Sequence, residues 1–569
     1  MESIEGFIAE QLTAWEVPGC AVAAVQDGKV VLAGGWGRRD VETDLPVTSG
    51  TLFAIGSVTK AFTAATVGAL VDDGLLDWAR PLRDYLPDLR LHDSFVTDRV
   101  SLVDFLSHRS GLPRHDLAWI GHPGWSRSEL VHRLRFLPLS RDLRESWQYC
   151  NLGYMVAGHA VEALAGTAWE DYLRDRLLTP LAMDRSNLSA DEMEADPDHA
   201  TAYERRHGVI VPVPQRPVTA LAPAGAINSC SADMAQWLLA QLGGGQLDGR
   251  TVMSPDTVAR QHQPHMVVPD DQTFPESTRH AYGLGWLIGR YRDHRLLEHG
   301  GGIDGFQTEC MLLPDHGIGV AVMTNTSSSL MAPVVAYRML DELLGLEPFD
   351  WFSIYKERYD VVTTGVREVR AARRVVPDAP LPRPLSAYAG EYEHPGYGTL
   401  TITLEDGTLR PHFGTMDVSL AHRHYETFDL EWHELSDQAY IFPLMFLSDQ
   451  DGDITALTVP FELLVEPLRF DRLPDTRAVD PEVLGRLCGT YVMGPIEIVI
   501  AQRDDHVLTA TTSGAPPFEL QPGRGLRFGV KNQPGITAEF ELDESGAVDR
   551  LVVQPLGIFI PKTSEGDAA

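Results

Sequence analysis

The amino-acid sequence predicts an α+β domain followed by two antiparallel β-barrels. Three observations support this fold class. The first 345 of 569 residues begin and end with strand patterns and have a helical middle. The stretch "PDAPLPRP" (377–384) then interrupts regular structure with four prolines. Beyond it, short strand patterns alternate with Gly, Asp and Pro turns, which is typical of all-β modules.

The predicted first domain, residues 1–345, contains two separated strand pairs. "CAVAAVQDGKVVLAGGWG" indicates a hairpin around Asp27-Gly28. "FQTECMLLPDHGIGVAVMTNT" indicates a second pair around the turn at 314–317. Between them, from about residue 57 to 242, the pattern is helical and irregular. We therefore expect one antiparallel sheet, assembled from both ends of the domain and covered by a helical insertion.

The remaining chain is interpreted as a helical segment with a proline-rich linker (346–384) and two lipocalin-like barrels (385–476 and 477–569). "YAGEY" (388–392) is echoed by "LCGTY" (487–491), which places Gly390 and Gly489 99 residues apart. Gly452 and Gly546 repeat a turn at an offset of 94 residues. A unit of about a hundred residues can form one closed eight-stranded sheet, so the repeat predicts two related barrels.

Composition excludes several classes of protein. The formal net charge of -33 argues against nucleic acid or an anionic membrane as partner. The amino terminus is acidic and lacks the basic and apolar regions of a secretory signal, and no apolar run is long enough to span a membrane. The five cysteines are scattered, which indicates neither a disulfide framework nor a zinc site. We expect a cytoplasmic protein without metal or cofactor.

The hexapeptide "IGSVTK" (55–60) is the first candidate for chemistry. One helical turn separates Ser57 from Lys60, so both project from the same face. The helix that follows is small and apolar, and desolvation in a buried helix favours a neutral lysine able to accept the serine proton. The free amide of Ser57 could also serve an oxyanion. A helix cap with an outward-pointing lysine is the alternative, although the chain has only five lysines.

Two later segments strengthen the first. Tyr149-Cys150-Asn151 supplies a phenol that can relay a proton and a carboxamide that can bind an acyl group, just before an apolar helix. "LLEHGGGIDGF" places His299 and three glycines ahead of a strand, where an edge strand would admit a substrate backbone and offer a second oxyanion donor. A packed aromatic and a simple bulge are the structural alternatives for these segments.

Taken together, Ser57-x-x-Lys60, Tyr149-x-Asn151 and His299-x-Gly301 resemble the three ordered motifs of the serine β-lactamase and penicillin-binding-protein superfamily, especially its class C-like members. "LFAIGSVTKAFTA" and "DFLSHRSGLP" resemble the surroundings usual in that family, and the similarity covers roughly residues 1–345. The resemblance implies a β-lactamase-like fold and an acyl-enzyme mechanism.

The resemblance also implies residue roles. Ser57 would be the nucleophile and Lys60 its base, with Tyr149 sharing proton transfer in an order that the sequence leaves open. The remaining roles would be acyl binding by Asn151, substrate binding by His299 and Gly301, and an oxyanion hole formed by the amides of Ser57 and Gly302.

The third motif departs from the lysine usual in β-lactamases. Histidine is largely neutral at pH 7, so carboxylate recognition by His299 is in doubt. This substitution resembles D-aminopeptidases, D-amino-acid amidases, related esterases and penicillin-binding-protein-like peptide cyclases. Two carboxy-terminal barrels resemble the D-aminopeptidase architecture, in which a loop of the last barrel closes the site. The stretch 511–529 is the candidate for that loop, with an ordinary barrel connection as the alternative.

The sequence thus predicts a serine hydrolase that cleaves a peptide or amide next to a D-residue. A carboxylesterase, a peptide cyclase or a β-lactamase would use the same residues, and a non-catalytic sensor of acylating ligands is the alternative of a different class. The expected partner is a small peptide, amide or ester. The oligomeric state is left open, with a homodimer among the options.

Overall fold

The structure is a computed structural model, and it describes residues 3–206, 208–269, 274, 276–371, 375–433, 440–450, 452–473, 481–503, 507–523, 526–533, 535–555 and 557–562. The predicted boundary between the two barrels, at 476/477, lies outside these residues. In the part of the chain that the structure describes, no helix combines the length and the apolar character needed to cross a membrane.

The helices vary in length from four to 21 residues. Their bounds are α1 Ile4–Trp15, α2 Thr59–Asp72, α3 Ser94–Thr97, α4 Leu102–Leu106, α5 Leu117–Ile120, α6 Arg127–Arg133, α7 Asn151–Ala165, α8 Trp169–Leu173, α9 Ala190–Ala195, α10 Ala222–Gly225, α11 Ser231–Leu242, α12 Pro255–Gln261, α13 Met331–Leu344, α14 Trp351–Ala371 and α15 Pro481–Leu487.

The strands of the first domain fall at its two ends and in short hairpins between. Their bounds are β1 Gly19–Gln26, β2 Lys29–Asp40, β3 Leu45–Pro46, β4 Phe53–Ala54, β5 Tyr203–Arg206, β6 Val209–Pro212, β7 Asn228–Ser229, β8 Gln246–Leu247, β9 Arg250–Thr251, β10 Met266–Val267, β11 Ser277–Tyr282, β12 Leu287–Tyr291, β13 His294–Ile303, β14 Phe306–Leu313 and β15 Ile318–Thr324.

The predicted antiparallel sheet is confirmed. Within the described residues its nine strands run in the order β10-β11-β12-β13-β14-β15-β1-β2-β3. The amino-terminal strand β1 pairs antiparallel with β15 from Cys20 opposite Thr324 to Gln26 opposite Ile318. Strand β1 is buried on both faces, as its continuous apolar sequence requires. Both ends of the domain therefore build one sheet around the helical insertion.

Both predicted turns are present and have a local cause. Asp27 and Gly28 adopt positive φ angles of 50° and 73° between β1 and β2, which matches the tight turn that joins right-twisted strands. Residues 314–316 form a 3-10 turn, and Gly317 at φ 59° directs the chain back into β15. These hairpins fix the register of the strands that carry the candidate site.

The sheet separates two hydrophobic layers. On one face, α1, α13 and α14 pack against the sheet through side chains such as Trp15, Tyr337 and Trp351. On the other face, helices α2, α7 and α11 form the larger core, in which Phe62 stacks on Trp237 with ring centroids 3.7 Å apart. Helix α2 is buried along nearly its whole length, so the residues at its start are held rigidly.

Beyond α14, residues 375–384 contain neither helix nor strand, as the prolines predict. Two antiparallel sheets of eight strands each then follow in the described residues. The strands of the first are β16 Gly390–His394, β17 Gly398–Glu405, β18 Thr408–Phe413, β19 Val418–His424, β20 Thr427–Trp432, β21 Tyr440–Ser448, β22 Ile454–Val459 and β23 Leu468–Arg472. Those of the second are β24 Gly489–Met493, β25 Ile496–Gln502, β26 Leu508–Thr512, β27 Phe518–Pro522, β28 Arg527–Val530, β29 Thr537–Leu542, β30 Val548–Gln554 and β31 Ile558–Pro561.

Both sheets are nearly closed barrels of consecutive strands. In the first, β16 pairs with β23, and an isolated bridge between Phe413 and Met416 lies at the remaining gap. In the second, the bridge between Tyr491 and Lys562 brings the first and last strands together. The predicted pair of antiparallel barrels is therefore confirmed.

The predicted relationship between the barrels is visible in one repeated contact. The hydroxyl of buried Tyr392 donates to the carbonyl oxygen of Tyr388 at 2.9 Å in the first barrel. The hydroxyl of buried Tyr491 donates to the carbonyl oxygen of Leu487 at 2.8 Å in the second. The echoed sequences "YAGEY" and "LCGTY" thus begin both barrels in the same way.

The first barrel shares its core with the helical layer, whereas the second has a core of its own. The carbonyl oxygen of Tyr397 accepts a hydrogen bond from His122 Nε2 at 2.7 Å, and Arg133 donates to the carbonyl oxygen of Pro395 at 2.7 Å. The first barrel is therefore seated on the segment around α5 and α6.

The stretch 511–529 is not a long loop. It contains the end of β26, all of β27 and the start of β28, joined by short turns, with residues 524 and 525 outside the described part. The alternating pairs Leu508 opposite Leu520 and Leu520 opposite Val530 explain this arrangement, since they bury one face of each strand inside the second barrel. The Gly and Pro residues that suggested a lid mark barrel turns.

Candidate active site

Ser57 lies in a 3-10 turn, Gly56–Val58, directly before α2 and not within that helix as the sequence suggests. Gly56 makes the turn possible because its φ of +51° is unfavourable for other residues. A Cβ atom on Gly56 would lie 2.8 Å from the backbone nitrogen of Gly302. The turn therefore presses the Ser57 backbone against the strand that carries the third motif.

Lys60 is the second residue of α2 and is fully buried. Its Nζ lies 2.9 Å from Oγ of Ser57 and donates to the carbonyl oxygen of Ala224 at 2.8 Å. Burial holds the pKa of Lys60 well below its usual range, and the nearby charge of Arg114 lowers it further. The predicted juxtaposition of Ser57 with a buried lysine amine is therefore present in the structure.

The ring of Tyr149 lies next to Ser57 and Lys60. Its ring centroid lies 4.9 Å from Lys60 Nζ and 5.1 Å from the guanidinium carbon of Arg114. Although part of the side chain reaches the surface, desolvation of the phenol raises its pKa, and interaction with the hydroxyl of Ser57 opposes that rise. At neutral pH Tyr149 is consequently a proton donor beside the serine.

Asn151 is the first residue of α7 and is held by a carboxylate that sequence reasoning missed. Its Nδ2 donates to Oδ1 of Asp116 at 3.0 Å, and the same oxygen accepts from Trp119 Nε1 at 3.0 Å. Oδ2 of Asp116 accepts from Arg114 Nε at 2.6 Å. The carboxamide of Asn151 is thereby fixed in orientation next to Tyr149.

The third motif lies on β13, which is an interior strand by its place in the sheet and not an edge strand as the sequence suggests. Pairing with β12 extends only to Leu287 opposite Glu298, whereas pairing with β14 continues to Ile303 opposite Phe306. Residues 299–302 therefore have one free edge, because β12 ends where the chain turns back at 283–286. Strand β13 is thus paired on both sides up to Glu298 and on one side only at residues 299–302.

One face of the strand, at Gly301, lies against the turn that holds Ser57. A Cβ atom on Gly301 would lie 2.0 Å from the carbonyl oxygen of Ile55 and 3.2 Å from the backbone nitrogen of Ser57. Only glycine allows such an approach of two backbones. The structure thus brings together the two amides, of Ser57 and Gly302, that the sequence predicts as an oxyanion hole.

His299 is buried and has protein partners on both ring nitrogens. Nδ1 lies 2.7 Å from the carbonyl oxygen of Gly300, which can only accept, so Nδ1 carries the proton. Nε2 then accepts from the hydroxyl of Tyr282 at 2.9 Å. Burial lowers the pKa of His299 to about 3. His299 is a neutral group that holds the glycine strand.

His108 is a second buried histidine that the sequence did not single out. Its Nδ1 accepts from the backbone nitrogen of Cys150 at 3.1 Å, and its ring centroid lies 4.4 Å from that of Tyr149. His108 lies within the quoted "DFLSHRSGLP", and its positive φ of 58° marks a position fixed by its surroundings. The feature of the sequence that could have indicated this residue is the cluster of histidine and charged side chains between 108 and 116, which follows α4 closely and contains His108, Arg114 and Asp116.

The first barrel reaches this same run. Glu462, in the turn between β22 and β23, accepts from the backbone nitrogen of His115 through Oε2 at 2.9 Å. The hydroxyl of Tyr397 lies 2.7 Å from Nδ1 of His115. The barrel therefore supports the loop that carries Arg114 and Asp116. No group of three or more His, Cys, Asp or Glu side chains in the described ranges is arranged to hold a metal ion.

These features define a class of protein in which a central antiparallel sheet and the start of a buried helix hold a serine, a lysine and a tyrosine around one cleft. Residues 4–344 match the model of the Beta-lactamase family, and the chain belongs to that family. The superfamily resemblance drawn from the three motifs is thereby confirmed. Residues 374–472, which include the first barrel, match a domain of unknown function, DUF3471.

Individual proteins resemble the chain over most of its length. It is 32% identical over 419 residues to unguisins hydrolase ungD' of Aspergillus campestris, which covers 70% of this chain and 77% of that protein. The octameric penicillin-binding protein homologue from Pyrococcus abyssi superposes with a TM-score of 0.56 at 22% identity, over 90% of this chain and 98% of that chain. D-amino acid amidase from Ochrobactrum anthropi SV3 gives 0.51 at 23% identity, over 60% and 96%. These two structures share the fold.

Proposed function

We propose that this protein is a serine hydrolase that forms an acyl-enzyme at Ser57 and cleaves a peptide or amide bond beside a D-residue. The observation that carries the proposal is the 2.9 Å separation of Ser57 Oγ from the fully buried Nζ of Lys60. Similarity to an unguisins hydrolase supports hydrolysis as the reaction class.

Acylation begins with transfer of the Ser57 hydroxyl proton to the neutral amine of Lys60. Oγ attacks the substrate carbonyl carbon, and the negative charge that develops on the carbonyl oxygen is stabilised by the amides of Ser57 and Gly302. The C–N bond then breaks as the leaving nitrogen receives a proton. The phenol of Tyr149, which retains its proton at neutral pH, is placed to pass that proton between Lys60 and the leaving group.

Deacylation uses the same groups in reverse. A water molecule gives its proton to the Lys60 and Tyr149 pair, and its oxygen attacks the acyl carbon. The Ser57 ester breaks when Oγ recovers a proton, which releases the acid and restores the starting enzyme. During deacylation Lys60 and Tyr149 act as one coupled unit, so the order in which the water proton passes through the pair stays open.

Substrate binding follows from the groups that line the cleft. The carboxamide of Asn151, oriented by Asp116, donates to an amide oxygen on the acyl side of the substrate. The open edge of β13 at 299–302 receives the substrate backbone in the manner of an added strand. His299 contributes by holding this edge in place through its bond to Gly300. Preference for a D-residue rests on the family resemblance at His299.

A substrate panel tests the proposal. The full-length protein is incubated with D- and L-aminoacyl p-nitroanilides, N-acylated forms of both, short-chain p-nitrophenyl esters and nitrocefin. Ser57→Ala is the inactive variant, and Ser94→Ala, at an exposed position on α3, is its matched control. We expect hydrolysis of D-configured anilides that Ser57→Ala lacks and Ser94→Ala keeps.

Other outcomes assign other functions. Turnover of esters with no cleavage of any D-anilide would exclude the amidase and indicate a carboxylesterase. Rapid hydrolysis of nitrocefin would indicate a β-lactamase, and release of a cyclic product from a linear peptide ester would indicate a cyclase. A complete lack of turnover together with stoichiometric phosphonate labelling of Ser57, detected by mass spectrometry, would indicate a sensor.

A further inference from the structure

Arg114 is a fixed cation at the mouth of the cleft. Its Nε donates to Oδ2 of Asp116 at 2.6 Å, while Oδ1 of the same carboxylate accepts from Asn151 and Trp119. The guanidinium and the carboxamide of Asn151 are therefore held by one carboxylate. A planar guanidinium anchored through Nε keeps a defined direction for its two terminal amino groups.

Those two amino groups are available to a ligand. Among the described residues the structure gives Nη1 and Nη2 of Arg114 no hydrogen-bond partner, and 51% of the side chain is exposed. The guanidinium carbon lies 5.1 Å from the ring centroid of Tyr149, and the phenol of Tyr149 faces Ser57. Four N–H donors on a half-exposed side chain thus lie beside Tyr149.

Asp116 forms an ion pair with Nε of Arg114, but in the described part of the chain neither nearby carboxylate is hydrogen-bonded to the two terminal amino groups. Both oxygens of Asp116 are engaged on the protein side, as described above. Glu462 directs Oε2 to the backbone nitrogen of His115 at 2.9 Å and Oε1 to that of Leu464 at 3.1 Å, and it is only 7% exposed. His299, on the far side of Tyr149, is uncharged. A surface of hydrogen-bond donors therefore borders the acyl side of the candidate site.

We propose that Nη1 and Nη2 of Arg114 form a subsite for an oxygen acceptor on the acyl group, either a carboxylate or the carbonyl of an acylated α-nitrogen. This inference rests on the proposed function and narrows its substrate class. A free protonated α-amine in this position would face a cation and find no acceptor. The preferred substrates are therefore N-acylated or internal D-residues, and a carboxylate gives the strongest binding.

Three substrates that share one leaving group test the subsite. They are D-phenylalanine p-nitroanilide with a free amine, its N-acetyl form and its N-succinyl form. We expect kcat/KM to increase in that order for the unmodified protein. Arg114→Gln is expected to lower kcat/KM roughly ten- to a hundredfold more for the succinyl substrate than for the free-amine substrate, as for loss of charge-assisted hydrogen bonds to the acyl group. Arg114→Lys retains the positive charge but lacks the paired amino groups of the guanidinium. Its kcat/KM for the succinyl substrate is expected to lie between those of the unmodified protein and Arg114→Gln.

The chain offers a close control for this arginine. Arg80 donates through Nε to Asp84 at 2.7 Å and lies 5.2 Å from the ring centroid of Tyr85, with 56% of its side chain exposed. Its pairing through Nε, its contact with a tyrosine ring and its own exposure resemble those of Arg114, but its partners are not residues of the site. Arg80→Gln should leave all three substrates unaffected.

Two results would overturn the subsite. A free-amine substrate preferred by the unmodified protein would contradict it, and so would an equal loss on all three substrates in Arg114→Gln, which would assign Arg114 to the support of Asn151. Calorimetric binding of N-succinyl-D-phenylalanine to Ser57→Ala, with and without Arg114→Gln, separates this inference from the proposed function. Arg114-dependent binding without turnover in the unmodified protein would keep the subsite and reject the hydrolase.

Discussion

Nζ of Lys60 stands 2.9 Å from Oγ of Ser57 and 2.8 Å from the carbonyl oxygen of Ala224. A neutral amine has two protons and one lone pair. When one proton is donated to Ala224, the lone pair remains for the hydroxyl proton of Ser57. A charged ammonium in this buried position would have no lone pair and would lack water to solvate it.

Activity should therefore depend on pH through Lys60. Because burial lowers its pKa well below 10.5, kcat/KM is expected to rise with pH as the amine loses its proton and to reach its plateau far below the ordinary lysine range. Lys60→Met should reduce kcat/KM by about 10²–10⁴-fold, the usual range for loss of a general base. If Lys60→Met kept both the value of kcat/KM and its decrease at acidic pH, Lys60 would not be the general base.

The same lysine should reduce stability. Its pKa in the folded state is lower than in the unfolded state, so unfolding at neutral pH takes up a proton and is favoured. The free energy of unfolding should rise as pH increases from the folded pKa towards that of the unfolded lysine. Lys60→Met is expected to raise the melting temperature by a few degrees at pH 7, with a smaller gain at pH 9.5. Equal gains at both pH values would contradict this account.

Gly301 and Gly302 should respond differently to a methyl group. A Cβ on Gly301 would lie 2.0 Å from the carbonyl oxygen of Ile55, whereas the nearest atom to a Cβ on Gly302 is the carbonyl oxygen of Phe306 at 4.0 Å. Gly301→Ala should therefore separate the strand from the Ser57 turn, lower stability by about 1–3 kcal/mol and reduce acylation more than tenfold. Gly302→Ala should keep the melting temperature unchanged in the same thermal scan.

Glu309 should make the catalytic domain less stable at higher pH. It lies on β14 opposite Gly300, and its Oε2 would be 3.3 Å from a Cβ at Gly300. Burial raises the pKa of Glu309, and the charge of Glu298 raises it further. The folded state thus keeps a proton that the unfolded state releases above about pH 4.3, so the free energy of unfolding should fall as pH rises through this window. Urea denaturation of the unmodified protein and of Glu309→Gln at pH 5 and pH 8 isolates this contribution. Relative to the unmodified protein, Glu309→Gln should gain stability between the two pH values, and Glu5→Gln, at an exposed position of α1, should not.

Glu462 should couple the first barrel to the cleft. Glu462→Ala leaves the backbone nitrogens of His115 and Leu464 without their acceptor, at an expected cost of about 1–3 kcal/mol. Because His115 lies between Arg114 and Asp116, kcat/KM should fall together with the melting temperature. Glu393→Ala, at an exposed position of β16, is the control. Unchanged activity in Glu462→Ala would separate barrel docking from catalysis.

The sheet, the barrels and the central residues of the site could be predicted because each has a local signature. Strand period and turn residues mark the hairpins around Asp27-Gly28 and Gly317, and helical spacing joins Ser57 to Lys60. The open edge at 299–302 was expected for an edge strand. It arises instead inside the sheet, because β12 stops at its pairing with Glu298. Where a neighbouring strand ends depends on tertiary packing and leaves no periodic signal.

The surroundings of the site depend on contacts between distant segments. No motif in the sequence marks Asp116, yet it fixes Asn151, 35 positions away, and Arg114, two positions before it. The contribution of the first barrel was missed for the same reason, since Glu462 and Tyr397 meet His115 only in the folded chain. Gly and Pro residues at 511–529 suggested a lid from the second barrel, but such residues serve barrel turns equally well.

His115 and Glu462 are separated by 347 positions in the chain. During synthesis, the nucleophile, the base and the glycine strand have all left the ribosome before the barrel turn that holds the Arg114 loop. Domains fold largely in the order in which they emerge. We therefore expect an interval during synthesis in which Ser57 and Lys60 can already meet. In that interval the loop that carries Arg114 and Asp116 still lacks its contact with Glu462. We expect completion of the first barrel to set the moment at which the loop around Arg114 gains its last support.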